Sequence, residues 1–175
     1  MIYLDFLDAS LSDEEGNELS FADSAILLHT YFVAPVRFSV KGVEMLLPSN
    51  SPNQTIWISG PEGVTSSQQS SSPFPWFPIP LLHVCTIGME CVESLRKDKE
   101  KIYKIPGGGA KITFTMSIPN IVEIHSTVSN KTVYATYEEL TSSFSDFVQR
   151  VKQTLGKKAP SLAAHPYWKE WLVAN

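Results

Sequence analysis

The sequence has no lysine or arginine between Met1 and Val36. That stretch contains seven acidic residues, namely Asp5, Asp8, Asp13, Glu14, Glu15, Glu18 and Asp23. Up to Glu93 the chain has two basic and eleven acidic residues, a balance of −9, and from Ser94 onward it has twelve and seven, a balance of +5. Because an uneven charge distribution affects association more than folding, we expect it to bear on the choice of partner.

Also lacking is any apolar run of the roughly 18 residues that would cross a bilayer. The N-terminal residues carry Asp5 and Asp8 within their apolar stretch and have no basic region, unlike a signal peptide. We therefore expect a cytoplasmic protein with no membrane partner. The pI of about 5.5 and the scatter of the basic residues argue against a nucleic-acid partner as well.

Residues that would mark a metal or catalytic site are few. The spacing of Cys85 and Cys91 places them on different faces of a helix, so we expect two reduced, buried thiols. None of the four histidines, which are His29, His83, His125 and His165, has a second His, Cys or carboxylate at metal-ligand spacing. There is no Gly-x-Ser-x-Gly motif either. We expect a protein that is not an enzyme and needs no metal or cofactor.

One glycine-rich run, IPGGGAK at 105–111, raises the question of a phosphate-binding loop. Such a loop needs Gly-Lys followed by Ser or Thr and then a helix. Here Lys111 opens an alternating strand instead. Glycines between two strands supply a positive φ at a turn, so the run predicts a hairpin connection.

The N-terminal half predicts mainly strands. Alternation and turn residues indicate strands at 2–7, 36–40, 43–47 and 55–59. The apolar segment 25–33 is compatible with either a strand or a helix. The Ser/Gln-rich stretch at 64–73 predicts a flexible loop.

A proline-rich and aromatic strap at 73–80 follows that loop. It is either packed on the core of the protein or a ligand for a proline-binding module. The apolar spacing from residue 81 to 101 then predicts a helix that is buried early and charged late.

The C-terminal half gives the clearest pattern. Three alternating segments, 112–118, 121–127 and 132–136, predict an antiparallel meander. Thr136 and Glu139 form a capping-box signature for an amphipathic helix at 137–155 that ends at Gly156. Its apolar face comprises Leu140, Phe144, Phe147, Val148, Val151 and Leu155. A short helix with Pro166 in its first turn closes the chain. We therefore expect one α+β domain spanning 1–175.

Two groups of residues are candidates for binding a partner. The first is the acidic loop at 10–23, in which the expected contacts are Asp13, Glu14, Glu15, Glu18 and Asp23. The second is the aromatic set of the last helix, Tyr167, Trp168 and Trp171, which forms either a lid on the core or a partner-binding patch. A different class of function, a small enzyme, would use Glu123 and His125, which share one face of a strand.

A three-strand meander, the segment VYATYEELTSSFSDFVQRVKQTL and a terminal HPYWKEWL follow one another over about 112–172. This architecture resembles the immunity proteins of bacterial polymorphic, contact-dependent and type VI secreted toxin systems. The resemblance implies a cytoplasmic α+β protein that binds one cognate toxin and blocks its active site. The alternatives are a small enzyme and a scaffold or adaptor domain that uses the 73–80 strap.

Overall fold

The computed structural model describes residues 1–8, 11, 31–47, 56–59, 65–68, 77–107 and 109–173, with the backbone alone described at 56–59, 65–68, 163 and 167. These residues form an α+β fold of antiparallel sheets and helices, which confirms the predicted fold class. Within the described ranges, no helix combines the length and the hydropathy of a membrane span.

The first sheet is built around a central strand, β2. Its strands are β1 (Ile2–Phe6), β2 (Val33–Val40), β3 (Val43–Glu44) and β6 (Phe77–Pro80). Strand β1 pairs with β2 along one edge, whereas β3 and β6 pair with opposite ends of the other edge. Lys41 and Gly42 both have positive φ, as a tight hairpin turn requires. The predicted return strand at 43–47 is shorter than expected, because only Val43–Glu44 pair with β2.

A small second sheet consists of β4 (Ile56–Ser59) and β5 (Thr65–Gln68), which pair in antiparallel fashion. The strand predicted at 55–59 is therefore present from Ile56. Strand β5 was not predicted, since it lies within the segment 64–73 that we expected to be a flexible loop. Backbone pairing with β4 is what orders a polar sequence there. Residues 25–30 lie outside the described residues, so the question of helix or strand is answered only for Val33, which begins β2.

The helical stretch after β6 has a local change of pitch. It comprises α1 (Leu81–His83), a π-helical turn (Val84–Gly88), α2 (Met89–Glu93) and α3 (Leu95–Asp98). The predicted end of this helix at residue 101 is wrong. Lys99 adopts a φ of +64°, which stops the helix, and the next strand begins at Glu100.

The third sheet is the predicted meander with one strand more. Its strands are β7 (Glu100–Lys104), β8 (Lys111–Ile118), β9 (Ile121–Ser126) and β10 (Lys131–Thr136), in the order β10-β9-β8-β7. The glycine run joins β7 to β8, with φ of +84° at Gly107 and +66° at Gly109, so the predicted hairpin is confirmed.

Helix α4 (Tyr137–Lys158) begins at the predicted capping box. The Thr136 hydroxyl accepts from the Glu139 amide at 3.1 Å, and the Glu139 carboxylate accepts from the Thr136 amide at 3.2 Å. The predicted end at Gly156 is wrong, since the helix continues through that residue to Lys158. A 3₁₀ turn (Pro160–Ala164) and α5 (Pro166–Val173) follow.

Phe144 of α4 joins the two larger sheets. Its ring meets Phe38 of β2 and Phe114 of β8 edge-on, with centroids 6.1 and 6.3 Å away. The Ser126 hydroxyl also donates to the Met45 carbonyl at 2.5 Å, which ties β9 to the end of the first sheet. These contacts give the two larger sheets one shared core and leave one face of each of them outside it.

Candidate functional site

The third sheet (β7 to β10) carries on its outer face the residues predicted for an enzyme site. Burial alternates along β9, with Val122 and Ile124 buried and Glu123 and His125 facing outward. Across the sheet, Glu123 lies between Thr115 and Tyr134. His125 lies between Thr113 and Thr132, so the two side chains occupy neighbouring rows, as strand periodicity requires.

Each of these two polar groups is already held by a neighbour. Tyr134 donates its hydroxyl to Glu123 Oε2 at 3.0 Å, and this hydrogen bond raises the pKa of Tyr134. His125 Nδ1 lies 3.1 Å from Thr132 Oγ1. Neither residue lines either of the two cavities described below. Both residues are half-buried on the outer face of the sheet.

Large apolar side chains also project from this face. Ile102 on β7 is 42% exposed and Tyr134 on β10 is 48% exposed. At the hairpin end of the face, Lys104 and Lys111 lie directly opposite each other and are both exposed. The two lysines make this end of the face basic. Their opposed like charges are unfavourable for the pairing of β7 with β8.

The acidic candidates Asp13, Glu14, Glu15, Glu18 and Asp23 lie outside the described residues. The two acidic residues before them are paired within the chain. Asp5 forms an ion pair with Arg150. Lys158 Nζ lies 3.1 Å from a carboxylate oxygen of Asp8 and also donates a hydrogen bond to the Asp8 backbone carbonyl at 2.7 Å. Asp5 and Asp8 therefore belong to the attachment of β1 to α4.

In the C-terminal helix, Trp168 is 1% exposed, which favours the interpretation as a lid on the core. Its ring meets that of half-buried Trp171 at 5.3 Å. Lys152 lies 5.1 Å above the Trp171 ring and attaches α5 to α4. Tyr167 lies in α5, and its side chain is outside the described part of the chain.

The 73–80 strap is described from Phe77 onward, where it forms β6. Ile79 is 2% exposed, and Pro80 is also buried. A segment that is paired with β2 and buried in this way is not presented as an extended ligand, so residues 77–80 belong to the core.

Inside the protein, two buried polar side chains, His83 and Tyr103, are paired with each other. His83 Nδ1 lies 3.0 Å from the Tyr103 hydroxyl, and burial raises the pKa of that hydroxyl. Cys85 and Cys91 are both free and buried, as predicted. A cavity of about 20 Å³ nearby is lined by side chains of the two larger sheets and of α4, among them Ile79, Ile112 and Phe144. In the described residues, no three His, Cys, Asp or Glu side chains come close enough to hold a metal ion.

A larger groove of about 230 Å³ lies between the end of β1 and the C-terminal half of α4. It was not predicted, because its two walls are far apart in the sequence. The one signal in the sequence is a polar stripe on α4, formed by Arg150, Gln153, Thr154 and Lys157 at helical spacing.

No protein-family model, curated protein or solved structure matches this chain.

Proposed function

We propose that this protein is a non-catalytic binding protein, and specifically an immunity protein that neutralises a cognate bacterial toxin by covering its active site. One observation carries the proposal. The third sheet (β7 to β10) has its inner face in the core and its outer face exposed. Tyr134 and Ile102 lie on that outer face. Tyrosine is enriched among the residues that dominate binding energy at protein interfaces.

The size of this face indicates how much of an interface it supplies. Three strand spacings of about 4.8 Å and six residues of about 3.3 Å each give roughly 300 Å² in plan. A specific interface takes about 800 Å² from each partner. The sheet face is therefore one part of the contact surface, and the acidic residues Asp13, Glu14, Glu15, Glu18 and Asp23 are the proposed second part.

The proposal that the partner is a toxin is based on the resemblance of the C-terminal half to immunity proteins. The order of elements on which that resemblance is based, a meander followed by a long helix and a short helix, is the order observed from β8 to α5. A partner with a basic active-site cleft would complement the acidic segment and associate faster at low salt.

The proposal is tested by coexpressing the protein with the product of the adjacent gene and isolating the complex. We expect a stable complex and restored growth of cells that express the toxin. Tyr134→Ala should weaken binding at least about tenfold. Tyr3→Ala is the matched control. Tyr3 is 45% exposed, donates to Asp5 at 2.8 Å and lies on the outer face of the other sheet.

Two results would contradict the proposal. The first is failure of the adjacent gene product to bind or to be neutralised, which removes the immunity function. The second is binding that Tyr134→Ala leaves unchanged, which removes the sheet face as the contact surface. Unfolding curves of both tyrosine variants show whether each remains folded.

A further inference from the structure

The groove between β1 and α4 has one wall of hydrogen-bond donors. Arg150, Gln153, Thr154 and Lys157 follow one another at i, i+3, i+4 and i+7, so they lie on one face of the helix. Asp5, Phe6 and Asp8 form the opposite wall. Phe6 contributes an apolar ring that packs edge-on against Phe147 at 5.5 Å.

The acceptors of the groove are already engaged. Asp5 Oδ1 accepts from Arg150, and Asp5 Oδ2 accepts from the Tyr3 hydroxyl at 2.8 Å. Burial alone would raise the pKa of Asp5, but the hydrogen bonds from Tyr3, Arg150 and the Phe6 amide outweigh it and lower that pKa. Asp8 is engaged by Lys158. An incoming cation would therefore have to displace existing partners.

The donors of the groove can still form further hydrogen bonds. Arg150 is fixed by Asp5 and by the Leu4 carbonyl, which accepts from Nη2 at 2.5 Å, so the guanidinium is held in place at the groove. Within the described ranges, the Lys157 side chain forms no ion pair with any acidic group. Gln153 and Thr154 add an amide and a hydroxyl between these two cations.

We infer that this groove binds a small anion through a carboxylate or phosphate group, with Lys157, Thr154 and Arg150 as donors. The local charge favours it, since each of the two carboxylates of the groove is already paired with a cation, Asp5 with Arg150 and Asp8 with Lys158, and Lys157 adds a further positive charge to the lining. The C-terminal end of a helix opposes an anion only weakly. Two hydrogen bonds from charged donors contribute more than that opposition. The volume of about 230 Å³ limits the ligand to a small molecule. This inference does not depend on the proposed function.

The test uses the full chain, labelled with ¹⁵N, titrated with sodium phosphate and separately with sodium acetate at constant ionic strength and pH. We expect saturable shifts at the amides of residues 6–8 and 150–157, with a dissociation constant in the millimolar range for at least one anion. The anion that binds more tightly identifies the group that the groove prefers.

Lys157→Gln should weaken that binding about fivefold, and Thr154→Val should weaken it by a smaller factor. Lys131→Gln is the control, because Lys131 is an equally exposed lysine at the start of β10. Shifts that rise linearly without saturation for both anions would overturn the inference. Equal affinity in Lys157→Gln and in the unsubstituted protein would overturn it too.

Discussion

A side-chain carbon placed on Gly88 would lie 3.1 Å from Cε1 of Phe144. Gly88 ends the π-helical turn, and Phe144 is the residue on which both larger sheets converge. The absence of a side chain at position 88 therefore lets the helical stretch after β6 approach α4 closely. This contact gives a prediction with an internal control.

Gly88→Ala should destabilise the fold by about 1–3 kcal/mol, because the added methyl group has to displace the buried ring of Phe144, which is held by edge-on contacts with Phe38 and Phe114. Gly156→Ala is the control. Gly156 also lies in a helix, but nothing stands within 4 Å of its added carbon, so this change should stabilise by about 0.5–1 kcal/mol. Urea unfolding curves measure both. Equal or greater stability of Gly88→Ala would show that the core relaxes around position 88.

Phe147→Ala should cost about 3–5 kcal/mol of the free energy of unfolding. Phe147 is fully buried, meets Phe6 of β1 edge-on and lies under the Arg150 guanidinium. Gln149→Ala, at an exposed position of the same helix, should change stability by less than about 0.5 kcal/mol. A loss below about 1 kcal/mol for Phe147→Ala would mean that this face of α4 is not the core face.

The ion pair between Asp5 and Arg150 should appear in the pH dependence of stability. Because the pKa of Asp5 is lowered in the folded protein, its contribution is present above the unfolded pKa and is lost as pH falls through the folded value. Asp5→Asn should therefore be less stable than the unsubstituted protein near neutral pH, and the difference should shrink below about pH 4. Chemical unfolding at a series of pH values measures it. Asp146→Asn, at an exposed site of α4, is the control for removing one carboxylate.

The two cysteines should be protected from thiol reagents in the native protein. Burial raises the pKa of the Cys85 thiol, and burial together with Glu90 raises that of Cys91. We expect labelling at pH 8 to be at least about a hundredfold slower than in denaturant, since reaction requires local opening. Rapid labelling of either thiol without denaturant would contradict the burial of its helix.

The acidic segment should set the rate of association with the partner. Replacing Asp13, Glu14, Glu15 and Glu18 with Ser or Gln should slow association about tenfold and flatten its salt dependence. The control removes the same number of negative charges at exposed sites elsewhere, with Glu90, Glu93, Asp146 and Glu170 neutralised. If stopped-flow traces show the same rate and the same salt slope for both variants, the acidic segment is a solvated surface.

The C-terminal half could be predicted because its signals are local. Alternation along β8 to β10 and the capping box at Thr136 involve residues only a few positions apart. The π-helical turn has no local signal in the sequence, and its last residue, Gly88, packs against Phe144 of a helix far along the chain. The groove was missed for the same reason. The stripe on α4 is visible in the sequence, but the pairing of Arg150 with Asp5 is not.

The attachment of β1 to α4 has a consequence for biosynthesis. Asp5 and Arg150 lie 145 positions apart, so a ribosome that adds about 5–20 residues per second releases the strand about 7–30 s before the helix that holds it. During that interval the apolar side of β1, with Leu4 and Phe6, has no α4 to pack against. A nascent chain stalled before Phe147 should therefore expose this strand to chaperones and proteases, whereas the completed chain does not.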